Sequence, residues 1–148
     1  MSDSPVLVWF RRDLRLADNP ALHAACESGR PVIPVFIWAP TEEAPWEPGG
    51  AAKWWLHHAL DSLRASLEKM GSRLIVRRGP TVEALTRLMS ETGATTVYWN
   101  RLYEPAITER DARIKSWLRG SGVEASSFNA ALMFEPNVVQ TRLATPYT

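Results

Sequence analysis

Five short apolar runs alternate with longer stretches of helical period, and the links between them are too long for hairpins. No other feature of the chain constrains its fold as much. Antiparallel neighbours can be joined by two-residue turns, whereas parallel strands need a crossover of about a dozen residues, usually a helix. The runs are Val6–Phe10, Val32–Trp38, Leu74–Val76, Thr95–Trp99 and, more weakly, Val123–Phe128. They are near-continuous rather than alternating, as strands buried on both faces require. Helices are expected over Pro20–Ser28, Ala51–Met70, Pro80–Thr92 and Pro105–Arg119. The pattern predicts an α/β domain: an open five-stranded parallel sheet with helices on both faces.

Local signals agree. Asn19 is an N-cap candidate, Pro20 suits the first helical position and Gly29 follows the end. In the longest helix, Leu56, Ala59, Leu60, Leu63, Leu67 and Met70 form a stripe at i, i+3/i+4, and Gly71 ends it. Val82, Leu85, Leu88 and Met89 should face inward in the next helix, as should Ile107, Ile114, Trp117 and Leu118 in the last. All eight glycines are placed between periodic segments. Pro34 cannot donate to a ladder, so it should mark the second strand's start or an unpaired position. Ala39–Gly50, with Pro40, Pro45, Pro48 and Gly49, reads as a loop, and Asn129–Thr148 as an aperiodic tail ending in Thr145-Pro146-Tyr147-Thr148.

A chain of 148 residues fits one domain, 1–148. Seventeen basic residues against sixteen acidic give +1, which argues against a mainly electrostatic nucleic-acid binder. Cys26 alone allows neither an internal disulfide nor a zinc pattern. No apolar run approaches the ~20 residues of a membrane span, and Met1-Ser2-Asp3-Ser4-Pro5 is acidic and too short for a signal peptide. A soluble, cytoplasmic domain is expected.

In open α/β sheets ligands bind beyond the carboxyl ends of the strands, where the strand order reverses. After the first strand comes Trp9-Phe10-Arg11-Arg12-Asp13-Leu14-Arg15, after the second Trp38-Ala39-Pro40, and after the fourth Trp99-Asn100-Arg101-Leu102-Tyr103-Glu104-Pro105. The long helix opens with Lys53-Trp54-Trp55. Seven residues are Trp, against four Phe and three Tyr. A Trp-walled cleft near Lys53, Asn100, Arg101 and Glu104 would suit a flat conjugated ligand, since ring stacking is worth about 0.5–1.5 kcal/mol beyond burial. The alternative is that these indoles plug the top of the core.

Other chemistries lack their residues. The first βα turn has neither G-x-G-x-x-G nor G-x-x-x-x-G-K-[ST], so no glycine cradle awaits a phosphate. There is no G-x-S-x-G elbow. His57 and His58 point about 100° apart on a helix and cannot chelate one ion. His57 with Asp61 reads as an ordinary exposed helix pair, and His23 has no acidic partner in register. No nucleophile–His–Asp trio sits at the strand ends. Arg11-Arg12-Asp13-Leu14-Arg15 would contact a phosphate or an acidic surface, or more simply close on itself, with Arg12 or Arg15 pairing to Asp13 or Asp18. Arg77-Arg78 reads as a solvated end to the third strand.

Val6-Leu7-Val8-Trp9-Phe10-Arg11-Arg12-Asp13-Leu14-Arg15-Leu16 followed by Asp18-Asn19-Pro20-Ala21-Leu22 resembles the N-terminal signature of the DNA photolyase/cryptochrome family. Val35-Phe36-Ile37 with Pro40 is similar to its second strand and turn, and Lys53-Trp54-Trp55-Leu56 with Leu60 and Leu63 to its long helix, where Arg is more usual at position 53. Val97-Tyr98-Trp99-Asn100-Arg101-Leu102-Tyr103-Glu104-Pro105 with Arg110-Asp111 is similar to its fourth strand and turn. The resemblance runs from Val6 to the end. It implies a Rossmann-like three-layer domain that holds a light-harvesting antenna chromophore, followed in the family by a helical half that binds FAD and damaged DNA. Light collected by the antenna there drives electron donation from reduced FAD to a pyrimidine dimer, while cryptochromes signal instead. The chain then corresponds to the antenna domain alone, partnered by its own FAD-binding half and meeting DNA only through it. Alone it should be inactive, with no catalytic residue, metal or membrane contact of its own.

The resemblance also bears on the chromophore. Folate-binding members grip the pterin with an Asn-Glu pair opening the fourth helix, and those positions are Ala106 and Ile107 here, although Glu104 and Glu109 are near. A deazaflavin or FMN is therefore favoured over methenyltetrahydrofolate, with an empty site as a further possibility. The expected binding residues are Trp9, Arg11, Phe36, Trp38, Lys53, Trp54, Asn100, Arg101, Tyr103 and Glu104. Two other readings stand beside this one: the same domain in a cryptochrome or as a vestigial scaffold, and a free-standing nucleotide-binding α/β protein.

Overall fold

A computed structural model describes residues 3–136 and 138–140. The expected chain ends Met1-Ser2 and Thr145-Pro146-Tyr147-Thr148 lie outside the described residues. Strands β1 (Val6–Phe10), β2 (Val32–Trp38), β3 (Ile75–Arg78), β4 (Thr96–Asn100) and β5 (Glu124–Phe128) alternate with helices α1 (Pro20–Glu27), α2 (Gly50–Lys69), α3 (Thr81–Thr92) and α4 (Pro105–Gly120). All strand pairs are parallel, in the order β3-β2-β1-β4-β5. β1 is central and wholly buried, and the chain winds outward from it in both directions. The strand order therefore reverses over the carboxyl end of β1, which is where crevices form in such sheets.

Each central strand feeds two cores because its side chains alternate between the faces. Leu7, Trp9, Val35, Ile37, Val97 and Trp99 pack with Leu85 and Leu88 of α3 and Ile114 and Leu118 of α4. Val6, Val8, Phe10 and Phe36 pack with Ala21 and Ala25 of α1 and Leu63 and Leu67 of α2. This is the three-layer α/β arrangement the alternation requires. At the start of α1 the Asn19 side chain accepts from the Leu22 N–H at 3.1 Å, with Pro20 in the first turn. Pro34 pairs with Val8 and lies one residue before the β2–β3 ladder begins at Val35–Ile75. The β3 side of Pro34 therefore has no strand awaiting its missing N–H.

Several expectations need correction. Met70 does not join the apolar stripe of α2: it follows the helix as its cap and is 73 % exposed. Trp117 is 37 % exposed rather than inward, so α4 buries Ile107, Ile114 and Leu118 without it. β3 begins at Ile75 and includes Arg77 and Arg78, because an edge strand can present alternate side chains to water. Gly50 and Gly120 are the terminal residues of α2 and α4 rather than lying between elements. The Ala39–Gly50 loop contains a 3-10 turn at Pro40–Glu43.

One glycine matters for the neighbourhood of the site. A Cβ on Gly79, at the turn from β3 into α3, would stand 2.6 Å from the Ala39 Cβ. The Gly79 N–H donates to the Trp38 carbonyl at 2.9 Å. The absent side chain lets this turn close against the segment leaving β2.

Candidate functional site

The carboxyl edge of the sheet is hollow on one side of β1. A cavity of about 510 Å³ opens there, within the range of small-molecule sites. Trp9 of β1 and Phe36, Ile37 and Trp38 of β2 contribute strand-end side chains. Ala39, Pro40 and Glu43 come from the 3-10 segment, and Ala51, Ala52, Trp55 and Leu56 from the first two turns of α2. The proline-rich loop after β2 thus carries the chain out and around this space before α2 brings it back. Arg11, Arg12 and Arg110 also line it.

These arginines are held by a network that reaches across the sequence. Arg11 is buried; its guanidinium pairs with Asp111 of α4, donates to the Asn100 carbonyl and lies 4.8 Å from the Trp9 ring centre. Burial lowers the Arg11 pKa, with Asp111 opposing. Arg110 pairs with Asp111 at 3.0 Å, approaches Glu42 at 3.8 Å and stands 5.7 Å from the Trp9 ring. Glu42 in turn accepts from the Thr81 N–H at 2.7 Å, tying the 3-10 segment to the start of α3.

Arg12 spans the rim. It pairs with Glu43 at 3.1 Å and with Glu104, the residue preceding α4. Partial burial works against the Arg12 cation, but Glu104 and then Glu43 outweigh it and raise its pKa. Burial likewise works against the Glu104 carboxylate. Backbone N–H donors at the α4 entry and the Arg12 charge prevail, holding it below the usual carboxylate range.

The lining contains no His or Cys, its one carboxylate, Glu43, is engaged by Arg12, and the Thr81 hydroxyl is engaged by Glu42. Indole faces with a cationic border suit a flat conjugated molecule bearing acceptor groups. One buried donor is left over: Arg11 Nε has no hydrogen-bond partner among the described residues. Such an orphan ordinarily costs about 1–3 kcal/mol. It belongs to a residue lining the cavity, as a site that gains an acceptor from its ligand would show. Among the described residues there is no group of three or more His, Cys, Asp and Glu placed to hold a metal ion.

The ten residues expected at the site are not brought together. Trp9, Arg11, Phe36 and Trp38 line the cavity, and Glu104 reaches its border through Arg12. Lys53 opens into a neighbouring groove. Trp54 faces a separate depression with Leu14, Trp55 and His58, its ring 4.3 Å from His58. Asn100 is a buried hub: its side-chain carbonyl accepts from the Ala21 N–H at 3.0 Å, and its amide donates to Asn19 at 2.7 Å and to Asp13. Arg101 and Tyr103 both bind Glu135, at 2.8 and 2.7 Å, on the far side of β4.

Nor do the three strand-end tryptophans form one wall. Trp99 is 1 % exposed and packs on Trp9, ring centres 5.7 Å apart, inside the α3/α4 core. Of the two, only Trp9 reaches the cavity. The arginine turn does form a network, but the partners of Arg12 are Glu43 and Glu104 rather than Asp13 or Asp18. Arg15 donates to the Asp18 backbone carbonyl. Asp61 pairs with Arg64, and the His57 ring instead meets His58 at 5.3 Å. Glu43, Ala51, Ala52, Thr81 and the Arg110 contact with the cavity were missed. Only Arg110-Asp111 carried a signal, within the fourth-strand motif.

Comparison with known proteins fits this geometry. A family model described as DNA photolyase matches residues 6–148. The chain is 48 % identical to a deoxyribodipyrimidine photo-lyase of Agrobacterium fabrum, over 99 % of its own length and 30 % of the relative's. It is 44 % identical to Cryptochrome-1 of Arabidopsis thaliana, over 96 % of its length and 21 % of the relative's. Among solved structures, a bacterial class III photolyase from Agrobacterium tumefaciens superposes with a TM-score of 0.89 at 48 % identity, over 99 % of this chain and 30 % of that one. A Synechocystis cryptochrome does so at 0.73 and 28 % identity, over 87 % and 28 %. The chain thus spans less than a third of these relatives, and along that span it belongs to the DNA photolyase family.

Proposed function

We propose that this chain is the antenna domain of a light-driven DNA photolyase, residues 1–148 forming one unit that binds a flat conjugated chromophore. The cavity beyond β1 and β2 carries the reading: about 510 Å³, bordered by Trp9, Trp38 and Trp55, with arginines on its border and no acid–base or nucleophilic group free to react. An antenna needs only to be bound rigidly, oriented and kept from water. Trp9, packed by Trp99 and by Arg11 and 2 % exposed, would present only part of its indole at the cavity wall; Arg11 and Arg110 would supply donors to ring carbonyls or nitrogens. When bound, the chromophore would supply light absorption and excitation transfer. In the parent protein a helical half would hold FAD and the pyrimidine dimer, and the α/β domain by itself would be inactive in repair.

A deazaflavin or FMN fits better than methenyltetrahydrofolate. The two positions where a folate-type pair would open α4 are Ala106 and Ile107, and Ile107 is buried in the core. The test is retention of chromophore by the purified chain after incubation with FMN, a deazaflavin or the folate, read by visible absorbance and quenching of tryptophan fluorescence. Retention of FMN or deazaflavin is expected. Retention of the folate alone would reverse the preference, and retention of none would end the antenna reading.

The near-equal identity to Cryptochrome-1 supports a second reading, in which the parent is a photoreceptor and the domain a scaffold for signalling. Dimer splitting by the full-length protein under light favours repair; its absence in a protein that still photoreduces FAD favours signalling.

A further inference from the structure

Beside the main cavity, and sharing Phe36, Trp38 and Leu56 with it, lies a groove of about 340 Å³ between α2 and the edge strand β3. Its charged and titratable lining is of one kind: Lys53 and His57 from α2 and Arg78 from the end of β3. No carboxylate lines it, and neither Lys53 nor Arg78 has an ion-pair partner among the described residues. Arg15, Lys69, Arg73, Arg87, Lys115 and Arg119 also have no ion pair among the described residues, but none of them lines this groove or the main cavity, whose own arginines, Arg11, Arg12 and Arg110, are all matched. Arg12 has two acidic partners, Arg64 has two, and Arg77, next to Arg78 on the strand, pairs with Glu91 at 3.0 Å. Two uncompensated cations on opposite walls of one groove, beside an aromatic slot, are the complement of a ring system carrying an anionic arm.

We propose that the groove lined by Lys53, His57 and Arg78 is an anion subsite. It would take the phosphate or carboxylate tail of the chromophore whose ring occupies the main cavity, with the tail passing over Trp38. The proposal rests on the antenna reading and deepens it: it selects against neutral chromophores. Lys53 and Arg78 come from different elements, so the anion would also tie the first turns of α2 to the end of β3. His57 would add a third donor and, when protonated, a third charge.

The probes are FMN and riboflavin, which share a ring and differ by the phosphate. Affinity of the purified chain for each is read by fluorescence quenching at low ionic strength. FMN should bind about tenfold more tightly, the scale of one or two partly exposed ion pairs. The preference should shrink toward one at high salt. It should also fall toward one in the Lys53→Met/Arg78→Met double variant, while Arg87→Met, an exposed arginine on α3, keeps it. Equal binding of both flavins by the parent chain overturns the subsite and leaves the antenna reading intact. A preference that survives in the double variant also overturns it, placing the phosphate among Arg11, Arg12 and Arg110. Binding of neither flavin overturns the subsite, and the antenna reading too if no deazaflavin is retained, unless methenyltetrahydrofolate is retained. In that case a triglutamate tail should outbind a monoglutamate through the same two residues, and its failure to do so rejects the subsite.

Discussion

The two halves of the sheet's carboxyl edge are built from similar materials and end differently. Over β1 and β2 the strand ends carry Trp9 and Trp38, and the chain leaving β2 runs through a proline-rich loop, so a cavity remains. Over β4 and β5 the strands finish in Trp99, Asn100 and Phe128, and the space is filled. Asn100 spends its side chain on Ala21, Asn19 and Asp13, and Arg101 and Tyr103 close on Glu135 from the segment after β5. Aromatic and cationic residues at a strand end therefore do not by themselves make a site. What decides is whether the following segment swings away, as Ala39–Gly49 does, or folds back.

The largest effect should come from the ion pair joining the halves. Asp111→Ala leaves Arg11 buried without its anion and should cost about 3–5 kcal/mol in chemical denaturation. A cost below 1 kcal/mol would mean that the halves are not coupled there. Next, Asn100→Ala removes the hub of the closed half and should cost about 2 kcal/mol while leaving FMN retention within a factor of two. Loss of FMN at unchanged stability would make the closed half part of the site. Third, Trp38→Ala should weaken FMN binding about three- to tenfold with little change in unfolding, since that ring borders the open half. Tyr103→Phe is the matching control and should leave binding unchanged.

The smallest effect should be that of acid. Glu135 is held below the usual carboxylate range by the Tyr103 hydroxyl first and by Arg101, and Glu104 by its backbone donors and Arg12, against some burial of each. A carboxylate depressed in the folded state stabilises the fold above its unfolded pKa, and that contribution is lost as pH falls through the folded value. Both contributions should be complete near neutrality and fade below about pH 4.5. Glu135→Gln should flatten the closed half's share of that acid dependence, and Glu104→Gln the open half's. Unaltered profiles in both variants would remove the electrostatic account.

The elements were legible wherever burial is two-sided. β1, β2 and β4 read as apolar runs because both faces are covered, and Asn19-Pro20 marks the start of α1 because capping is local. β3 read short because Arg77 and Arg78 look like a solvated loop; on this edge strand Arg78 is exposed and Arg77 half-buried. Met70 and Trp117 satisfy the helical period yet stand outward, because periodicity gives a direction from the axis and not the reach of the neighbouring sheet. Of the cavity's lining, the strand ends pointed to Trp9 and Trp38, while Phe36 came with the family resemblance. Arg110, Glu42, Glu43 and Thr81 enter through contacts that span dozens of positions, and no spacing rule records those. The fate of Asn100, Arg101 and Tyr103 turned on Asn19 and Glu135, far away in sequence.

β3 has a further consequence for how the domain behaves in company. An open sheet has two outer strands, and each is a template on which a foreign strand can grow. Here the outermost strand on the cavity's side is four residues long, and its second half is Arg77-Arg78. A second copy approaching edge to edge would bring guanidinium against guanidinium before any ladder could form. Shortness and positive charge are two of the ways in which proteins blunt such an edge, and the strand that borders the proposed anion groove has both.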